Sequence, residues 1–177
     1  KARPGKVSVG LLSASGALLI TTYLQKANGF ELNQIYYKGG GPTVQDVLAG
    51  VTDFTVTTLG ALQAHFRSGK LRPLATTGES RAPTLPNVPT VAEQGFTTYP
   101  TYSWWGAYVP TGTPPPIIDR IGDELRKAAR APDVRQKFVD LIDMEIIAST
   151  PQEFATFQQG EQKRWFKVIK DNGIKSD

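Results

Sequence analysis

Short runs of strand-forming residues alternate with helix-length stretches through residues 1–100, and that rhythm narrows the possible folds more than any other feature of the chain. It predicts strands over 7–10, 34–37, 53–57 and 71–76, and helices over 17–27, 43–49 and 59–67. Strands joined by helices of this length pair in parallel, because a crossover must return the chain to the same end of the sheet. The expectation is an α/β fold with a mostly parallel sheet. Ligands of such sheets sit at the carboxyl ends of the strands, where loops lead into helices.

Beyond residue 78 the pattern changes. Residues 81–90 are spaced by prolines and show neither helical nor strand period, as an ordered connector does. Thr90 followed by Glu93 fits a capping box for a short helix over 91–94, ended by Gly95. The aromatic run over 102–109 suits a strand, and Thr113 ahead of three prolines suits a helix start. Ile117, Ile121, Leu125 and Ala128 make one apolar stripe along a helix over 117–131, which Pro132 breaks. A helix over 133–141, a strand over 144–148 and a last helix opened by Thr150-Pro151-Gln152-Glu153 follow. Phe154, Phe157, Trp165, Val168 and Ile169 are expected to face its core. The expected organisation is therefore an α/β lobe over 1–100 and a mainly helical part over 101–177, whose strands are too few for a sheet under three helices.

The strand-to-helix loops carry the candidate chemistry. Gly39-Gly40-Gly41-Pro42-Thr43 reads as an anion cradle: glycines allow left-handed backbone and close approach, and Pro42 fits the first helical position. The free amides and the positive dipole end would then face a carboxylate or phosphate. A turn that merely orders the connection is the competing reading. Ser13, Ser15 and Gly16 form a second such loop, where the hydroxyls either cap the next helix or donate to a ligand. Thr57, Thr58 and Thr76 stand at later strand ends, each able to close a turn or to donate. Lys38 either adds charge beside the glycines or projects into solvent, and Tyr37 or Trp104 would wall a cleft.

Other chemistry finds little support. The net charge is +4 over 177 residues, and the Lys and Arg side chains are scattered rather than striped, which argues against nucleic acid. Cysteine is absent and His65 is the single histidine, so thiolate metal sites, disulfides and histidine-based triads fall away and no cofactor is expected. Asp46 and Asp53 lack an acidic partner, no nucleophile and base stand together, and the glycine loop lacks the Gly-Lys-Ser/Thr ending of a nucleotide loop. An enzyme is not expected. The longest apolar runs, such as 17–20, are too short to cross a bilayer, and any export leader is expected either to have been removed or never to have existed.

A resemblance adds to these readings. Residues 37–42, 45–50, 53–54 and 68–75, then Arg81, the stretch Leu85-Pro86-Asn87-Val88-Pro89-Thr90-Val91-Ala92-Glu93-Gln94-Gly95, Trp105-Gly106 and 150–154 resemble, in order, the Bug family of solute receptors for tripartite tricarboxylate transporters. The resemblance implies a periplasmic receptor of the type II binding-protein class that clasps a small organic acid (a di- or tricarboxylate, amino acid or aromatic acid) between two lobes and hands it to a membrane permease. It implies that 1–100 corresponds to one complete lobe and the remainder to the C-terminal part of the other. That other lobe begins, in the family, with a strand and a Pro-Gly-Gly loop that this sequence does not contain. The candidate ligand residues, read from the loops themselves, are Ser13, Ser15, Gly16, Tyr37, Lys38, Gly39, Gly40, Gly41, Thr43, Thr57, Thr58, Thr76 and Trp104; the loop over 13–17 and Thr57-Thr58 depart from the family's usual pattern. An effector-sensing domain of a regulator with the same two lobes is the alternative, and exchange of elements between two copies would supply the missing strands as a homodimer.

Overall fold

The computed structural model describes residues 5–13, 15–140 and 144–174. The chain divides into two compact units, one of residues 1–103 with 168–177 and the other of residues 104–167.

The first unit holds a three-stranded parallel sheet in the order β2-β1-β3, with β1 at Ser8–Leu12, β2 at Asn33–Tyr37 and β3 at Phe54–Thr55. β1 is central because it can be buried on both faces: Val9 and Leu11 are fully enclosed on one, together with Ile20 of the following helix, and the small residues Ser8 and Gly10 are buried on the other. Each such apolar side chain contributes about 1.5–3 kcal/mol by leaving water. Gly10, between Val9 and Leu11, lets neighbours close over the strand. A Cβ there would meet Thr43 Cγ2 at 3.2 Å and the Tyr37 ring at 3.3 Å.

Three helices follow the three strands: α1 at Gly16–Asn28, α2 at Gly40–Leu48 and α3 at Leu59–Arg67. α1 is bounded as capping rules require. Ser15 accepts from the Leu18 amide, and Gly29 ends the helix with left-handed backbone, φ 62°. The amino ends of β1 and β3 are latched by Asp53, whose carboxylate accepts from the Ser8 amide and hydroxyl, both at 2.7 Å.

The expected strand over 53–57 shortens to Phe54–Thr55. The one over 71–76 does not form: Pro73 has no N–H to donate, and only Thr76 bridges, in parallel, to Thr90. The Thr90 and Glu93 capping box is made in full, at 2.7 and 3.1 Å, but closes a turn rather than a helix, because Gly95 at φ 82° ends it after one turn. Arg81 completes this loop by donating to Glu93 at 2.9 Å and to the Pro86 carbonyl at 3.1 Å.

In the second unit, α4 at Pro115–Ala129 starts two residues before the expected position, with Pro114 rather than Thr113 at its cap. Thr113 instead donates to the Pro110 carbonyl. The stripe is present, yet Ile117, Ile121 and Leu125 are 49%, 39% and 48% exposed. Pro132 opens α5, Pro132–Arg135, and the helix expected over 133–141 continues as a π-turn over Gln136–Asp140; residue 141 lies outside the described residues. Neither 102–109 nor the described residues of 144–148 form a strand, for no ladder partner is available to either segment among the described residues. The long helix α6 spans Pro151–Asp171, opened by the capping box of Thr150 and Glu153 at 2.8 and 3.2 Å. Of its expected core residues only Val168 is buried, while Phe157 is 46% exposed. Trp104, Tyr108 and Phe154 pack edge to face, and a side chain on Gly106 would collide with the Phe154 ring.

Candidate anion site at the strand mouths

In a parallel sheet every carboxyl end points to one edge, so the loops after β1, β2 and β3 share an edge by construction. Each loop runs within a few residues into a helix N-terminus: Leu12 into Gly16, Tyr37 into Gly40 and Thr55 into Leu59. The β1 and β2 mouths are tied together, since Leu12 and Tyr37 are register partners and the Ser13 amide donates to the Tyr37 carbonyl at 3.0 Å.

At the first mouth Ser15 is spent on structure. Its hydroxyl donates to the Leu12 carbonyl at 2.6 Å and accepts from Leu18 at 3.3 Å. The amides of Gly16 and Ala17 occupy the first two helical positions, which have no acceptor within a helix, and the Ser13 hydroxyl has no protein partner among the described residues.

At the second mouth the helix begins earlier than expected. Gly39 is the cap, Gly40 and Gly41 are the first two helical residues, and Pro42 is third rather than first. Pro42 still costs no hydrogen bond, because the third amide is also an orphan. Left-handed backbone is not the reason for these glycines: Gly39 is extended at φ −164°, and neither Gly40 nor Gly41 has positive φ. What they leave is room. A Cβ on Gly40 or Gly41 would find nothing within 4 Å beyond its chain neighbours and the helix's own backbone, and both are exposed. Thr43 is buried and its hydroxyl donates to the Gly39 carbonyl at 2.9 Å, so this side chain is used inside the helix.

At the third mouth Thr58 caps α3 without a side-chain hydrogen bond, and both Thr57 and Thr58 are half-buried with hydroxyls unpartnered among the described residues. Lys38 is exposed beside the glycines, with no partner among the described residues. Thr76 is not in the sheet. Its backbone is held by Pro89 and Val91, and its buried hydroxyl finds no partner among the described residues. Trp104 belongs to the other unit, where its ring meets Phe154 and Phe157. The structure thus gathers Ser13, Ser15, Gly16, Tyr37 to Gly41, Thr43, Thr57 and Thr58 along one edge, and among the described residues no strand pairing brings Thr76 into that sheet.

One link escaped sequence reasoning. The Tyr37 hydroxyl donates to Asp46 of α2 at 2.5 Å, and that bond, with burial and the repulsion of the carboxylate, raises the phenol above its ordinary pKa. A strand-end tyrosine and a mid-helix aspartate nine residues apart follow no helical or strand period, so no pattern marks them. The Ala17 amide, by contrast, was readable once Ser15 was taken as a cap.

Among the described residues no group of three or more His, Asp or Glu side chains stands ready to hold a metal, and no helix is long and apolar enough to cross a membrane. Comparison with known proteins gives a consistent picture. The family described as the tripartite tricarboxylate transporter family receptor matches residues 1–174. Protein BugT of Bordetella pertussis is 36% identical over 176 residues, which are 99% of this chain and 54% of that protein. The solved structure of R. palustris Rpa4515 with adipate superposes with a TM-score of 0.88 at 30% identity, covering 98% of this chain and 58% of the other. The periplasmic binding protein BugD shares the fold, with a TM-score of 0.86 at 24% identity over 99% of this chain and 60% of that one. The chain spans about half the length of the relatives it matches.

Proposed function

We propose, from the premise that the chain belongs to the tripartite tricarboxylate transporter receptor family, that it binds a small organic carboxylate at the mouths of β1, β2 and β3 and serves a periplasmic receptor that delivers it to a membrane permease. The observation that carries this reading is a pair of exposed glycines, Gly40 and Gly41, whose amides open a helix at a sheet edge and which carry no side chains of their own to cover them. Such amides hold negative charge with help from the helix dipole. The amides of Gly16 and Ala17 and the hydroxyls of Ser13, Thr57 and Thr58 are the supporting donors, with Lys38 supplying charge at the rim. The relative solved with adipate supports a dicarboxylate as the first ligand to try. This family is one of receptors rather than of enzymes, and the carboxylates that stand out, Asp46 and Asp53, are both engaged in structural bonds.

Two or three charge-assisted hydrogen bonds contribute about 1.5–3 kcal/mol each before the cost of association. This chain alone should therefore bind on the order of millimolar, and a chain of the relatives' full length more tightly. The test is titration of the isotope-labelled chain with adipate, following backbone amides by NMR. Shifts concentrated at 16–17 and 39–41 are expected. Gly40→Val should weaken binding at least about fivefold with little loss of stability, because its side chain would enter open space at a helix start and does not directly precede Pro42. Shifts scattered over the surface, or affinity untouched by Gly40→Val, would overturn the assignment.

A further inference from the structure

Tyr37 joins three walls of this edge. Its carbonyl accepts from Ser13 at 3.0 Å and so holds the β1 loop. Its ring lies over Gly10, 3.3 Å from where a Cβ would stand. Its hydroxyl donates to Asp46 Oδ2 at 2.5 Å, reaching the seventh residue of the helix whose first two amides are those of Gly40 and Gly41. Asp46 is itself anchored, for its carbonyl accepts from Val51 at 2.9 Å and Thr52 at 3.4 Å on the approach to β3.

α2 is held near its middle by Thr43 and Val44, both buried, whereas its first two residues are exposed glycines that offer little resistance to a change in the direction of the helix start. The link from Tyr37 to Asp46 acts nearly two turns away, where leverage on the direction of the helix is greatest. We infer that Tyr37 and Asp46 are a pair of positioning residues, which aim the N-terminal amides of α2 at the anion seat without touching the ligand. The aspartate is suited to this because a short bond to a carboxylate is stronger than one to a neutral acceptor. Close packing of the ring over Gly10 gives the hydroxyl a fixed origin. The inference rests on the anion reading above for its ligand arm alone, since the direction of the helix is a property of the free protein.

The experiment compares Tyr37→Phe, Asp46→Ala, their double variant and Asp46→Asn with the unsubstituted chain, by NMR before and during titration with adipate. Before ligand, Tyr37→Phe and Asp46→Ala should both displace the amide resonances of Gly40 and Gly41. With ligand, each should weaken adipate about tenfold, the double variant should be no weaker than the poorer single one, and Asp46→Asn, which keeps an acceptor, should stay within about threefold of the original. If Tyr37→Phe weakens binding while Asp46→Ala leaves both affinity and glycine amides unmoved, Tyr37 touches the ligand and the inference fails. It fails equally if neither substitution moves the glycine amides. Should adipate leave those amides unmoved in the unsubstituted chain, the anion reading falls, and the ligand-free shifts still decide the positioning role. Tyr37→Phe removes one oxygen and keeps the ring, so it decides the matter if Asp46→Ala does not fold.

Discussion

Glu93 shows how much one side chain can organise when its partners come from several directions. It accepts from the Thr90 amide as a capping box requires, and from Arg81 across the proline-spaced loop. The Arg81 bond first, then the Thr90 amide, holds its carboxyl below the ordinary carboxylate pKa. A group whose folded pKa is depressed adds stability above its unfolded pKa and loses it as pH falls through the folded value. Thermal unfolding should therefore show the Tm gap between the original chain and Glu93→Gln widest near neutral pH and shrinking in acid. A gap constant with pH would mean that the pair is screened into insignificance at the surface. The Thr90 and Glu93 spacing was legible from residue types alone, whereas the reach of Arg81 to Glu93 and to the Pro86 carbonyl was not, because it depends on the path of the intervening prolines.

Helix starts divide in the same manner. Those of α1 and α6 were legible because a short polar side chain satisfies a backbone amide three residues on, a purely local bond. The start of α2 was misplaced by three residues: no side chain caps it, and the backbone of Gly40 and Gly41 carries the helix upstream of Pro42. This distinction bears on Ser15, read from sequence as cap or ligand donor. With its hydroxyl engaged at both ends, Ser15→Ala should cost about 1 kcal/mol in chemical denaturation. Adipate affinity should change by less than about threefold. A large loss of affinity at unchanged stability would restore it as a ligand donor.

Across the whole chain, apolar surface is unevenly spent. The first unit encloses Val9, Leu11 and Ile20, while α4 buries none of its residues and Trp105 and Tyr108 are 64% and 63% exposed. Such surface binds apolar probes and promotes association. An anilinonaphthalene dye should fluoresce with the chain, and the paired substitution Ile121→Glu with Leu125→Glu should lower that signal and any concentration-dependent light scattering while helicity persists. Unchanged fluorescence would mean that the stripe is covered in solution. The periodicities that make α1, α3 and α4 helical and β1 apolar act over a few residues, so the linear chain specifies them wherever it goes. A strand exists only when another backbone supplies its hydrogen bonds, which is why β1 to β3 formed while 71–76, 102–109 and the described residues of 144–148 did not. The same holds at the proposed site. Glycines and hydroxyls can be read off in order, but the parallel register that lines up three helix starts, and the bond from Tyr37 to Asp46, arise only when distant segments meet.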